Sequence, residues 1–143
     1  MNCIFICVFA QPKYIEMFYL LLESIFIYGI DENTEIVVYT STPFMDIIKQ
    51  SHLFNADKIK FEINNTYGAI EQACKARLDL FQLQSISKYD KILYLDTDIL
   101  VKDDINKVFE VCKEDILYVL EEGAIDDDRD YWGKVYLAVE GQE

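Results

Sequence analysis

Two carboxylates separated by one residue, Asp96 and Asp98, are the most informative feature of the sequence. They stand in the string YLDTDILV, residues 94–101, between an apolar run and three aliphatic residues. Acids at this spacing in a turn after a buried strand can converge on one hard divalent cation and leave its other positions to phosphate oxygens and water. The pattern therefore predicts a metal-held diphosphate site. The plainer alternative is that Asp96 caps the following turn and Asp98 is merely solvated, because acids are common in turns.

The charge of the chain bears on how such a substrate would be bound. The 143 residues carry a formal net charge of −13, from 13 Lys and Arg against 26 Asp and Glu. Nucleic acids and anionic lipids are bound through an excess of cationic side chains, so neither is expected as a partner. An anionic substrate must instead be bound through a metal ion, oriented backbone N–H groups or a few well-placed cations.

The amino-terminal region has no pattern typical of membrane insertion or secretion. Its longest apolar stretch, residues 15–30, is interrupted by Glu16 and Glu23 and is shorter than the roughly 20 apolar residues that a bilayer span needs. The first residues lack the basic segment and the cleavage site of a secretory signal. A cytoplasmic protein without a membrane span is therefore expected.

Apolar runs of strand length alternate with stretches of helical periodicity along the chain. Strands are predicted at residues 2–10, 35–41, 58–64, 91–96 and 115–121, and helices at 12–28, 43–54, 68–86 and 102–112. The period-two pattern of 58–64 indicates a strand near a sheet edge, and Gly29 should end the first helix in the left-handed conformation. The alternation predicts one α/β domain over 1–143, with a Rossmann-like, mainly parallel sheet and helices on both faces. Ligands of such sheets bind beyond the carboxyl ends of the strands.

Three segments resemble glycosyltransferase family eight, the family of glycogenin and of bacterial lipopolysaccharide galactosyltransferases. The string YDKILYLDTDILV, residues 89–101, is similar to the family's DxD region. Upstream, CKARLDLF at 74–81 resembles its pattern of a basic residue followed by Leu, with Arg77 at the matching position. The start VFAQPKY, residues 8–14, resembles its nucleotide-binding turn, with Tyr14 as the matching residue.

The resemblance implies a glycosyltransferase-A type fold, a UDP-sugar donor, Mn²⁺ or Mg²⁺, and transfer to an unknown acceptor with retention of anomeric configuration. Asp96 and Asp98 would hold the cation, Thr97 would place its backbone near the ribose, and Arg77 would meet a phosphate or sugar hydroxyl. The uracil base would contact Tyr14 and the strand-end backbone of Val8, Phe9 and Ala10. Simpler roles remain open: Arg77 could pair with Glu71 or Asp79, and Tyr14 could pack in the core.

One departure from the family pattern limits these expectations. The family adds a His downstream of the DxD as a third metal ligand, whereas the only His here is His52, upstream on a predicted helix. The acids at 126–130 are expected to form a solvated turn, and 131–139 is a weaker strand candidate. We therefore expect a domain incomplete at its carboxyl terminus, which binds donor but transfers sugar poorly.

Two other functions are compatible with parts of the pattern. One is a nucleotide-sugar-binding module or pseudoenzyme that keeps the donor site and lacks transfer activity. The other is a haloacid-dehalogenase-like phosphatase, in which the first Asp of a DxD is the nucleophile. The phosphatase is disfavoured because its motif follows the first strand, whereas Asp96 follows the fourth predicted strand.

Overall fold

A parallel sheet forms the centre of the protein in the computed structural model, which describes residues 1–113 and 115–119. Its strands are β1 (Asn2–Val8), β2 (Thr34–Thr40), β3 (Ile59–Ile63) and β4 (Lys91–Leu95), in the order β3-β2-β1-β4. The predicted α/β class with a parallel sheet is confirmed. β1 lies inside the sheet, as its nearly continuous apolar sequence predicts, and the alternating β3 lies at an edge.

Helices cover both faces of this sheet. They are α1 (Lys13–Tyr28), α2 (Thr42–Lys49), α3 (Ile70–Lys75) and α4 (Asn106–Val111), with 3₁₀ helices at Ala76–Phe81 and Gln84–Lys88. None of the helices in the described part of the chain is long and apolar enough to cross a membrane.

The alternation of side chains along β1 divides the core in two. Ile4, Ile6 and Val8 pack with buried residues of α1, including Phe18, on one face. Cys3 and Phe5 pack on the other face, where Ala76 and Ile86 of the 3₁₀ helices cover the sheet. The buried residues of this second cluster are Cys3, Phe5, Phe9, Val37, Tyr39, Ala76, Ile86 and Tyr89. Successive strand residues point to opposite faces, so a strand buried on both sides links the two clusters.

The predicted long helix over 68–86 is wrong. α3 ends at Lys75, and the chain tightens into the two 3₁₀ helices instead. Ala76 is fully buried against the sheet, and the carboxylate of Asp79 accepts hydrogen bonds from the hydroxyls of Tyr39 (2.8 Å) and Tyr67 (2.7 Å). These tertiary contacts favour the tighter turns over the helix that local periodicity predicts.

The turn after β1 also differs from expectation. The strand ends at Val8 rather than at residue 10, because Ala10 has a φ of 72° and the N–H of Gln11 bonds back to the carbonyl of Phe9 at 2.9 Å. This is a γ-turn of the strained kind. Gly29 ends α1 with a φ of 80° but a ψ of 161°, an extended conformation that is almost confined to glycine, rather than the left-handed helical one.

The last predicted strand, 115–121, does not form over residues 115–119. Leu117 and Val119 are 75% and 79% exposed, and these residues pair with no strand in the described part of the chain. An apolar run becomes a strand only where a neighbouring strand accepts its hydrogen bonds. Residues 120 and 121 lie outside the described residues, as do the acidic turn at 126–130 and the strand candidate at 131–139.

A buried hydroxyl ties the segment after β4 to α1. The backbone N–H of Val101 donates to Ser24 Oγ at 3.0 Å, and that hydroxyl donates to the carbonyl of Leu21 at 2.7 Å. Ser24 is buried on α1, and Val101 stands three residues after Asp98. The contact therefore holds the end of the DxD segment against the helix.

Replacing Ser24 by Ala is expected to lower the free energy of unfolding by about 1–2 kcal/mol, because the N–H of Val101 loses its partner. Ser87→Ala is the matched control, since the exposed Ser87 hydroxyl donates only to the carbonyl of Gln84. The control should change stability by about 0.5 kcal/mol or less. Urea unfolding of both variants measures the difference, and equal losses would show that the Val101 contact does not stabilise the fold.

Candidate functional site

A cleft of about 930 Å³ lies beyond the carboxyl ends of β1 and β4. This is the edge at which ligands of parallel α/β sheets bind. The sequence-predicted residues that line it are Phe9, Tyr14, Arg77, Asp96, Thr97 and Asp98. β1 and β4 are adjacent and parallel, so their ends bring the turn at residues 9–14 and the DxD segment to the same place.

Asp96 directly follows β4 and is held from two sides. Its Oδ1 accepts a hydrogen bond of 2.5 Å from the hydroxyl of Tyr94, and its Oδ2 lies 3.5 Å from Nη1 of Arg77. The Arg77 and Asp96 side chains are 45% and 42% exposed, so the ion pair is open to solvent. A pair this exposed contributes little to stability, and its interest lies in the site rather than in the fold.

Tyr94 belongs to the site although the sequence assigned it no role. Burial, together with its hydrogen bond to Asp96, raises the pKa of Tyr94 well above its ordinary value, so the phenol stays protonated and donates. The two-residue period of a strand could have identified Tyr94 from the sequence, because residues 94 and 96 are two apart and project to the same side of the strand. Cys7 of β1, on the same face of the sheet as Tyr94, also lines the cleft, and burial raises the pKa of its thiol to about 12.

Arg77 reaches the cleft from the first turn of the 3₁₀ helix Ala76–Phe81. Its guanidinium lies 5.4 Å from the centre of the Tyr94 ring, and its Nε donates to the carbonyl of Cys74 at 3.2 Å. Among the residues that the structure describes, Arg77 is paired with Asp96, and neither Glu71 nor Asp79 forms the alternative ion pair. The position of Arg77 thus joins the CKARLDLF segment to the DxD.

Thr97 and Asp98 also line the cleft. Asp98 is exposed, and within residues 1–113 and 115–119 it forms no ion pair. Two carboxylates that line one cleft are a suitable donor set for a hard divalent cation whose remaining ligands are water or phosphate. Nowhere in the described residues do three or more His, Cys, Asp or Glu side chains gather closely enough to form a complete metal cage. His52 is exposed and does not line this cleft.

The four residues predicted to contact the uracil base differ in whether they line the cleft. Val8 is fully buried, and its carbonyl accepts a hydrogen bond of 2.6 Å from Thr40 Oγ1. Phe9 lines the cleft but is only 2% exposed, with its ring packed edge-on against Tyr39 at 5.0 Å. Neither Val8 nor Ala10 lines the cleft, whereas the partly buried Tyr14 does. Of this group, Tyr14 has the side chain best placed to meet a ligand.

Comparison with known proteins gives a likeness in structure. The sequence matches no protein-family model and no curated protein. Among solved structures, the chain is similar to the galactosyltransferase LgtC, in complex with donor and acceptor sugar analogues. The two are 21% identical with a TM-score of 0.58, over 78% of this chain and 43% of that one. The predicted glycosyltransferase-A type of fold is thereby confirmed, and the chain spans less than half the length of that structure.

Proposed function

We propose that this chain is the donor-binding part of a metal-dependent glycosyltransferase, which takes a sugar from a UDP-sugar and transfers it to an acceptor with retention. The observation that carries the proposal is the meeting of Asp96, Asp98, Arg77 and Tyr14 in one cleft at the carboxyl edge of a parallel sheet. The likeness to a galactosyltransferase structure supports the reaction class. The UDP-sugar, the metal and the stereochemistry rest on the family resemblance of the three sequence segments.

The charges lining the cleft favour a metal. Among its described lining residues, Arg77 is the cation and Asp96 and Asp98 are the anions. Without a metal these groups carry an excess of negative charge, which repels a diphosphate. A divalent cation reverses the sign, and when bound it neutralises charge on the diphosphate leaving group. Mn²⁺ or Mg²⁺ held by Asp96 and Asp98 is therefore part of the proposal.

The remaining donor contacts in the proposal rest on the family resemblance of the three sequence segments. Tyr14 would offer its aromatic ring to the uracil base, and Phe9 at the end of β1 lines the same cleft. Thr97, between the two acids, brings its backbone to the ribose. Arg77 provides a planar fork of N–H donors that fits phosphate oxygens or sugar hydroxyls. Each group would bind or orient the donor, and the acceptor side of the reaction is left to other residues.

UDP together with Mn²⁺ is expected to raise the melting temperature of the protein, whereas UDP with a chelator is not. A ligand that binds only the folded state at 100 times its Kd stabilises it by about 2.7 kcal/mol. Differential scanning fluorimetry measures the shift, with ADP and GDP as controls for the base. Equal shifts for all three nucleotides would contradict the uracil contacts, and no shift with UDP and Mn²⁺ would contradict the proposed function.

A binding module without transfer activity is the second candidate. It is favoured by the described lining of the cleft, whose charged residues Arg77, Asp96 and Asp98 are all used in this proposal to bind the donor. A module would bind UDP-sugar with Mn²⁺ and leave it intact. Release of free sugar or of UDP from the donor, followed over hours, separates the two functions.

A further inference from the structure

Arg77 is already paired with Asp96 in the cleft that both residues line. Three contacts hold its guanidinium there: the carboxylate of Asp96 at 3.5 Å, the ring of Tyr94 at 5.4 Å and the carbonyl of Cys74 at 3.2 Å. The other carboxylate oxygen of Asp96 accepts a hydrogen bond from the hydroxyl of Tyr94. Both oxygens of a proposed metal ligand are therefore partnered by groups of the chain itself.

We propose that a divalent cation displaces Arg77 from Asp96, and that the freed guanidinium then binds the diphosphate, so that this one side chain couples metal binding to nucleotide binding. The inference rests on the proposed function and adds to it the order of events at the same site. Arg77 would thus compete with the metal for Asp96 and act as a direct ligand of the phosphates.

The electrostatics of the carboxylate make the two cations competitors. A guanidinium cannot ligate a metal, since it has five N–H donors and no acceptor. Two cations sharing one carboxylate would lie only a few ångströms apart and repel each other. A metal held at Asp96 would compete with Arg77 for this carboxylate, whose Oδ2 lies 3.5 Å from Nη1 of Arg77. Binding of the cation at Asp96 therefore requires the guanidinium to move away.

Displacement costs little in this geometry. Nearly half of the Arg77 side chain is exposed, and the side chain of Asp96, with which it pairs, is exposed to a similar extent. Exposed pairs of this kind are worth about 0–1 kcal/mol. The guanidinium remains in the cleft after it leaves Asp96, where a diphosphate offers it a fork-shaped partner of higher charge. The loss of one ion pair is thus offset by the gain of another only when nucleotide is present.

The consequence is a positive coupling between metal and nucleotide. Mn²⁺ alone must break the pair between Arg77 and Asp96 without compensation, so the pair lowers the Mn²⁺ affinity modestly. UDP gives the displaced Arg77 a partner and strengthens Mn²⁺ binding, and linkage requires Mn²⁺ to strengthen UDP binding by the same factor. Removing Arg77 should therefore change the two affinities in opposite directions.

The test compares Arg77→Ala with the wild type in two titrations. Without nucleotide, the variant should bind Mn²⁺ about two- to fivefold more tightly, as measured by the EPR signal of free Mn²⁺. At saturating Mn²⁺, it should bind UDP about tenfold more weakly by calorimetry. The factor by which UDP strengthens Mn²⁺ binding should therefore be smaller in the variant than in the wild type. Circular dichroism and thermal unfolding check that the variant is folded.

Two further variants separate displacement from a general effect of charge. Lys75→Ala removes an exposed cation two residues away that does not line the cleft, and it should leave the Mn²⁺ affinity nearly unchanged. Arg77→Lys keeps the charge but loses the planar fork of N–H donors. It should therefore bind UDP more weakly than the wild type but more tightly than Arg77→Ala. A gain in Mn²⁺ affinity for Lys75→Ala equal to that of Arg77→Ala would overturn the inference.

The outcomes also distinguish this inference from the proposed function. If the wild type binds Mn²⁺ and UDP but Arg77→Ala leaves the Mn²⁺ affinity unchanged or weaker, displacement is wrong and the donor site stands. If the wild type binds no Mn²⁺ even with saturating UDP, the donor site itself is wrong and the inference falls with it.

Discussion

Replacing both Asp96 and Asp98 by Asn is expected to abolish Mn²⁺-dependent UDP binding. The two carboxylates line the same cleft, and Asn supplies neither the charge nor the second oxygen that a hard cation requires. Affinity for UDP in the presence of Mn²⁺ should fall by at least about 100-fold, because the diphosphate loses its neutralising ion. Isothermal titration with UDP, with and without Mn²⁺, measures the effect.

The fold should survive this double substitution. Asp96 and Asp98 lie at the solvent-open edge of the sheet, and removing two neighbouring negative charges relieves their mutual repulsion. The matched control is Glu23→Gln with Glu32→Gln, which removes the same charge from exposed positions outside the cleft. The control should bind UDP as the wild type does. Unchanged Mn²⁺-dependent affinity in the Asn variant would show that the metal site lies elsewhere.

Phe18→Ala is expected to cause a larger loss of stability than Ser24→Ala or Leu20→Ala. Phe18 lies on α1 and is fully buried against the β1 residues Ile4, Ile6 and Val8. Truncating a buried Phe removes its transfer free energy and leaves a cavity, at a cost of about 3–5 kcal/mol. The midpoint of urea unfolding should shift to lower concentration with an unchanged slope, since the folded topology is kept.

Leu20→Ala is the control on the same helix. Leu20 is 59% exposed, so the substitution removes a large apolar side chain without opening a cavity. Its effect should stay within about 0.5 kcal/mol. If Phe18→Ala cost no more than Leu20→Ala, then α1 would not pack on the sheet as described, and the position of the turn that carries Tyr14 would also be in question.

The sequence by itself determined the class of the fold and the place of the candidate site. The continuous apolar run of β1 indicates burial on both faces, and the period-two pattern of β3 indicates an edge, because each pattern records which faces of a strand meet water. Asp96 and Asp98 follow a buried strand in the sequence, and the carboxyl ends of parallel strands share one edge of the sheet. The prediction that the DxD faces a cleft at that edge needed no further information.

Tertiary structure alone decided which groups meet in the cleft. Arg77 had Glu71, Asp79 and a ligand as possible partners in sequence, yet Asp79 is taken by the hydroxyls of Tyr39 and Tyr67, and Arg77 pairs with Asp96 instead. Those hydroxyls come from segments 40 and 12 residues away from Asp79, and no local periodicity encodes such distances.

The breaks in local regularity have the same origin. The helix predicted over 68–86 is interrupted because Ala76 and Asp79 are fixed by the sheet rather than by their helical neighbours, and Ala10 takes a positive φ because the chain must reverse between β1 and α1. Residue patterns report preferences of about 1 kcal/mol or less, which packing and buried hydrogen bonds outweigh. The buried faces and the order of the strands could therefore be predicted from the sequence, whereas the hydrogen-bond and ion-pair partners and the turns depended on contacts between distant segments.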